Sequence, residues 1–446
     1  RGDFMTKTAA PMTSGSIWKQ MTFFAMPIFL GNLFQQLYNT VDSLIVGNFL
    51  GSSALAAVSS SGSLIFMLIG FLSGISAGAG VIVARFFGAG DEKNLQRAVH
   101  TTVAFGLVAG VLMTGVGVAL SPQILRWMDT PESVMRESVT YLQIYFAGSL
   151  GFVMYNVLVG ILQAVGDSRH PLYYLIVSSV INLVLDLLFI TGFHTGVGGA
   201  AVATVISQIV SALLCFWQLL RTKESYGLKI RKIRFDKGIL VQIIKIGLPS
   251  GVQNSIIAFA NVIVQSNINA FGEMAMAGVW GLHKGGRVRF LPINSFTMAL
   301  TTFVGQNLGA KQEERTRKGA RFGILAAVIL AELIGVVVFL LAPQLIAAFD
   351  SSPEIIRFGV EKARTAALFY CLLAFSHSIA AILRGAGKTM VSMVIMMMCW
   401  CVIRVSFLSV MIPLTHSIQV VYWVYPLTWS LSSLAFFWYY KKAKWI

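Results

Sequence analysis

The sequence predicts an all-α polytopic membrane protein, with twelve transmembrane helices in two parallel six-helix lobes related by a pseudo-two-fold axis. Three observations lead there. The chain repeats itself. Gly88-Ala89-Gly90-Asp91-Glu92 returns as Gly309-Ala310-Lys311-Gln312-Glu313, and Ser121-Pro122-Gln123 as Ala342-Pro343-Gln344, with Asp129 matched by Asp350. Ile161-Leu162-Gln163-Ala164-Val165-Gly166 returns as Ile382-Leu383-Arg384-Gly385-Ala386-Gly387, and each match falls at the same offset, 221 residues (387 − 166). Duplicated membrane units are a common plan for carriers. The second observation is composition: 12% of residues are charged and 56% hydrophobic, whereas a soluble domain carries about 25% charged residues. The third is that Lys and Arg concentrate in every second loop, the positive-inside pattern.

The elements follow in order. A span needs roughly 20 apolar residues. Such runs lie at about 22–47, 55–84, 99–120, 139–164, 171–191 and 199–220, then 240–270, 277–305, 322–342, 361–383, 390–411 and 418–439. The basic side holds the tail with Arg1, Lys7 and Lys19; Arg85, Lys93 and Arg97; Arg169; Arg221 to Lys237; Lys311 to Arg321; Arg384 and Lys388; and Lys441, Lys442 and Lys444. The opposite loops hold Arg126, Arg136, Arg357, Lys362 and Arg364, so the balance is 24 to 5. Both termini are therefore expected in the cytoplasm, in a bacterial inner membrane. The net charge of +16 reads as this topology signal and not as a nucleic-acid surface. The boundaries expected are a tail at 1–16, a first lobe at 17–220, a linker at 221–239, a second lobe at 240–440 and a tail at 441–446. The linker is polar and basic and reads as a solvated connection. No short apolar run with a small-residue cleavage site opens the chain, so no cleaved signal peptide is expected. Cys215, Cys371, Cys399 and Cys401 lie in apolar runs and read as small buried hydrophobes. A monomer surrounded by membrane lipid is expected.

An ionisable residue at bilayer depth costs at least about 2.5 kcal/mol and marks function by default. Asp42 lies deep in the first span. Asn182 and Asp186, in the fifth, are four apart and share a helix face. Thr204, in the sixth, adds a hydroxyl. If these helices pack together, Asp42, Asn182, Asp186 and Thr204 form an oxygen-rich cluster that takes a proton or a sodium ion. Two carboxylates in one dry site cannot both stay ionised cheaply, which suits a protonation switch. No other metal site and no cofactor are expected. The second copy lacks this set: the offset places Ile403 and Phe407 where Asn182 and Asp186 stand, with Arg404 the nearest charge. Candidate cavity residues are Gln35, Tyr38, Asn39, Gln253, Asn254, Glu332, His377 and Arg404. His100, His170, His194 and His416 lie near loops and are expected to be solvated.

These residues resemble the multidrug and toxic compound extrusion family over roughly residues 17–440. Val41-Asp42-Ser43 looks like its first-span aspartate motif. Asn182-x-x-x-Asp186 with Thr204 resembles the first-lobe cation cluster of its DinF-like members. Pro27, Gly88-Ala89-Gly90 and Val304-Gly305-Gln306-Asn307-Leu308-Gly309 also fit. The resemblance implies a V-shaped cavity, alternating access and export of amphiphilic, often cationic compounds, driven by inward sodium or proton flow. One stretch departs. Relatives closest to this chain read Lys, an apolar residue, then Glu-Gly-Phe-Ala-Phe, where this chain has Lys284-Gly285-Gly286-Arg287-Val288-Arg289-Phe290. The two readings can be the same nucleotides in adjacent frames, which points to a local frame slip that resequencing tests.

The alternatives separate on other features. A major-facilitator carrier has short basic loops where this chain has Phe86-Phe87-Gly88-Ala89-Gly90-Asp91 and its copy. An exporter or flippase for lipid-linked or anionic substrates would use Arg287, Arg289 and Arg404. An enzyme is not expected: there is no His-Glu-x-x-His, no Gly-x-Ser-x-Gly and no Gly-x-x-x-x-Gly-Lys-Ser/Thr loop.

Overall fold

In the computed structural model the regular structure of the described residues is all helical; these residues are 11–51, 54–55, 57–58, 62–348 and 351–446, with backbone alone at 63, 273, 277 and 279–287. Fifteen α-helices give twelve spans: α1 (Ile17–Leu50), α2 (Gly62–Ala89), α3 (Glu92–Trp127), α4 (Glu132–Ala147) with α5 (Ser149–Ala164), α6 (Arg169–Leu187) and α7 (Val197–Arg221), then α8 (Lys237–Asn269), α9 (Glu273–Gly309), α10 (Glu313–Ala347), α11 (Pro353–Ala367) with α12 (Tyr370–Gly385), α13 (Thr389–Met396) with α14 (Arg404–Thr415), and α15 (Gln419–Lys442). Long apolar stretches with no unsatisfied backbone are the helical solution that a bilayer demands. The fourth and tenth spans are bent pairs, by 51° at Gly148 and 55° at Leu368–Phe369. The fifth and eleventh carry π-helical turns, Leu188–Gly192 and Met397–Ile403. Asp350, Lys284, Gly285, Gly286 and Arg287, singled out from the sequence, lie outside the residues whose side chains are described.

The repeat is written in backbone conformation. Gly90 N donates to Phe87 O and Asp91 N to Phe86 O; 221 residues later Lys311 N donates to Leu308 O and Gln312 N to Asn307 O. The residue at this helix end is left-handed in both copies, φ +68° at Gly90 and +57° at Lys311. The same closure recurs at Gly166 (φ +86°) and Gly387 (φ +81°). These paired bonds satisfy carbonyls that a helix end would otherwise leave orphaned.

Two compact units result, residues 26–245 and residues 12–25 with 246–446. The second includes the opening turns of α1, and the first includes the linker after α7. In the second unit, Met12 N donates to Gln306 Oε1 at 2.8 Å, and the Arg315 guanidinium donates to Gly15 O and Gln20 Oε1, each at 2.8 Å. In the first, the linker closes over α3. Tyr226 is fully buried, with its ring 6.3 Å from that of Phe87, and Leu228 is buried with it. Lys229 N donates to His100 Nε2 at 3.0 Å and Asp236 N to Thr101 Oγ1 at 3.1 Å. This corrects two expectations. The linker is docked, not solvated. His100 is 3% exposed; its Nε2 accepts, so its Nδ1 carries the proton that Gln96 O receives at 2.6 Å. The apolar Tyr226 and Leu228, spaced among basic residues, drive that docking. His170 is half-buried against Asp167 at 2.8 Å, whereas His194 and His416 are exposed.

Close helix approach sets the second unit's packing. A Cβ on Gly335 of α10 would lie 2.1 Å from the Ala367 carbonyl oxygen, at the bend of the tenth span. Only a hydrogen fits there.

Candidate functional site

The first unit gathers α1, α6 and α7 around a polar pocket. Tyr38 and Asp42 stand four apart on α1, and Asn182 and Asp186 four apart on α6, so each pair presents one helix face. Asn182 is 2% exposed, Asp186 fully buried and Asp42 half-buried. The carboxyl groups of Asp42 and Asp186 lie near enough for their charges to act on one another. The Asn182 amide nitrogen donates to the Tyr38 hydroxyl. Thr204 lies near that hydroxyl, and its own proton goes to Ala200 O at 3.1 Å. With its nitrogen so committed, Asn182 turns its carbonyl oxygen into the pocket.

The outcome is a set of buried oxygens that accept nothing from the described protein: Asp42 Oδ1, Asn182 Oδ1, and both oxygens of Asp186. Buried polar atoms are rarely left this way. Four acceptors facing one dry space suit a proton shared between carboxyls, or a hard cation ringed by oxygen. The pocket rests on a small apolar core of Ile45, Val46, Ile190, Val197, Ala200 and Ala201, which keeps α1, α6 and α7 in contact. The π-helical turn begins two residues after Asp186; such turns recur at functional sites.

Of the four residues read from the sequence as a cluster, Asp42, Asn182 and Asp186 gather where the Tyr38 hydroxyl joins α1 to α6, and Thr204 turns its own proton to Ala200 O. The reading missed that hydroxyl as the bridge. It also missed Tyr141 of α4, buried near both carboxyls and stacked on Tyr145 with centroids 6.5 Å apart. The signal for Tyr38 was its spacing of four from Asp42. For Tyr141, whose span bends, no spacing rule applied. Gln35 and Asn39 are exposed on α1.

In the second unit, Gln253 is buried and accepts a 2.7 Å bond from Ser392, tying α8 to α13. Asn254 is half-buried on the same helix. Glu332 of α10 lies beside Cys371, with its Oε2 buried and unpartnered among described residues. His377 of α12 sits between rings, 4.8 Å from Phe290 and 5.2 Å from Trp400. Arg404 is 1% exposed and donates to Thr428 Oγ1 from Nε at 3.2 Å and Nη2 at 2.7 Å. Among the described residues, no group of three or more His, Cys, Asp or Glu side chains converges as a metal site.

With this geometry in hand, comparison with known proteins is informative. The MatE family model matches the chain twice, over residues 27–188 and 249–410. The chain is 29% identical over 434 residues to "Probable multidrug resistance protein YoeA" of Bacillus subtilis, covering 96% of this chain and 94% of that one. It is 26% identical over 390 residues to "Probable multidrug resistance protein NorM" of Thermotoga maritima, covering 85% and 82%. Its fold superposes with a TM-score of 0.90, at 24% identity and 97% coverage of both chains, on a solved structure described as the outward-facing conformation of a multidrug resistance MATE family transporter. With one match per repeat, together reaching ten of the twelve spans, the chain belongs to the MatE family of multidrug efflux transporters.

Proposed function

We propose that this chain exports amphiphilic, cationic small molecules across a bacterial cytoplasmic membrane, in exchange for a proton or a sodium ion bound at Asp42, Asn182, Asp186 and Thr204. Both termini face the cytoplasm, as the basic loops argue. The observation that carries the coupling is the four buried acceptor oxygens of Asp42, Asn182 and Asp186, held toward one space with no donor to meet them.

The cycle follows from charge. With the pocket unloaded, two facing carboxyls repel, and α1 is driven from α6. A proton or cation between them removes that repulsion and draws the two helices together through Asp42 and Asp186. A ligand shifts such an equilibrium only by its differential affinity for the two states, and a charge pair in a dry pocket supplies a large difference. The loaded state releases the exported molecule outward; losing the ion inward readies the carrier for the next. The bond from the Asn182 amide to the Tyr38 hydroxyl keeps Asn182 oriented throughout.

The test is uptake of a fluorescent cation into inverted vesicles, under an imposed pH gradient and, separately, a sodium gradient. The gradient that drives uptake names the ion. Uptake by Asp42→Asn protein equal to wild type under either gradient would refute the coupling assignment.

A further inference from the structure

The second unit holds a charge cluster that the coupling scheme leaves unused. Arg404, at the start of α14, is buried, and its neighbours are neutral: the Thr428 hydroxyl, the Tyr425 ring at 4.6 Å and the Trp400 ring at 5.6 Å. Lys362 of α11 is half-buried and sets its ammonium 5.1 Å from the same Tyr425 ring. The two cations come from spans ten and eleven and are close enough for their charges to act on one another. Among the described residues, no carboxylate lies within ion-pair distance of either. The nearby Glu361 is turned to Arg357 at 3.9 Å and to Gln419 at 3.3 Å, and Glu332 lies beside Cys371. Arg289 adds a third positive charge, donating to the Tyr370 hydroxyl at 3.0 Å.

A guanidinium at bilayer depth without a counter-ion is costly. Ring faces and one hydroxyl soften that cost but leave the charge standing. Two such cations side by side raise it further. A ligand of negative charge would meet both cations, and the partly exposed Lys362 and Tyr425 give it a way in. The planar Arg404 fork matches a carboxylate. Tyr425, Trp429 and Tyr370 form a run of rings with centroids 5.9 and 6.0 Å apart, a surface on which a flat ligand stacks. We infer that Arg404 and Lys362, with the Tyr425–Trp429 rings beside them, form a binding site for an aromatic carboxylate. This goes beyond the export reading and does not depend on it, because binding is read without transport.

The probe is 2-naphthoate, titrated calorimetrically into the purified full chain, beside uncharged 2-naphthamide. Naphthoate is expected to bind, with the amide weaker by roughly tenfold or more, since charge-assisted hydrogen bonds are lost. Lys362→Gln and Arg404→Gln each weaken naphthoate by a similar factor. If Arg404→Gln fails to fold, Lys362→Gln and Arg404→Lys carry the test. Asp42→Asn leaves naphthoate binding unchanged, which separates this outcome from a failure of the coupling scheme. Equal affinity for acid and amide, or full affinity in Lys362→Gln, overturns the site. So does displacement of naphthoate in nanodiscs of phosphatidylglycerol but not phosphatidylcholine, which would give the cations to a lipid phosphate.

Discussion

In the first unit the polar pocket is acidic: Asp42 and Asp186 face one another, with Asn182 held beside them by Tyr38. In the second, Ile403 and Phe407 stand at the positions of Asn182 and Asp186, and the buried charge is Arg404. Each key charge adjoins a π-helical turn, but Asp186 precedes its turn and Arg404 follows its own. The loops behave in the opposite way. Gly90 and Lys311 differ in every side-chain property, yet both close their helix with the same two bonds. A helix end asks only for backbone bonds and tolerates new residues at a modest cost. A buried charge is costly wherever it stands, and the two copies carry opposite signs of it on a shared backbone plan. After duplication, the backbone records common origin while the buried charges have diverged.

Breaking the acidic side of this contrast should have the largest effect. Asp42→Asn is expected to reduce gradient-driven export in inverted vesicles to that of vesicles without the protein, while yield and melting temperature stay near wild type. Export at the wild-type rate would erase the distinction between the units. Tyr38→Phe keeps both carboxyls but removes the hydroxyl to which the Asn182 amide donates. One hydrogen bond of this kind is worth about 1 kcal/mol, so export should fall roughly three- to tenfold, measured as initial uptake rate. An unchanged rate would make the bond mere packing.

Structural contrasts come next. Gly335 of the second unit corresponds to Thr114 of the first, so one copy accepts a side chain where the other cannot. Gly335→Ala drives a methyl group into the Ala367 carbonyl and is expected to destabilise the protein by about 2 kcal/mol, read by thermal unfolding in detergent. Thr114→Ala should be nearly neutral in the same assay. The smallest effect is Lys311→Gly. It relieves a left-handed residue and is expected to add about 0.5–1 kcal/mol; a loss of stability would show that the Lys311 side chain has a role of its own.

Much of this was legible in the sequence, for physical reasons. Twelve apolar runs and alternating basic loops follow from the bilayer, and the offset of 221 is plain in Gly166 and Gly387. Asp42 and Asp186 stood out because charge at bilayer depth is costly, Asn182 because it shares a helix face with Asp186, and Thr204 for its hydroxyl in the next span. What escaped was whatever depends on packing between distant spans. Lys362 was counted as a loop residue, since its run begins at the edge of a span; only the structure brings it to the Tyr425 ring that Arg404 also faces. His100 and the linker looked solvated because Tyr226 and Leu228 are isolated among polar neighbours.

The segment around Met12 has a consequence for biosynthesis. Its partners, Gln306, Asn307 and Arg315, lie 294 to 303 residues further along. This stretch is therefore made long before the residues that anchor it. Until eight spans have been made and inserted, the backbone around Met12 waits unclaimed, open to proteases and chaperones. Arrival of the second repeat is thus registered far upstream in the chain.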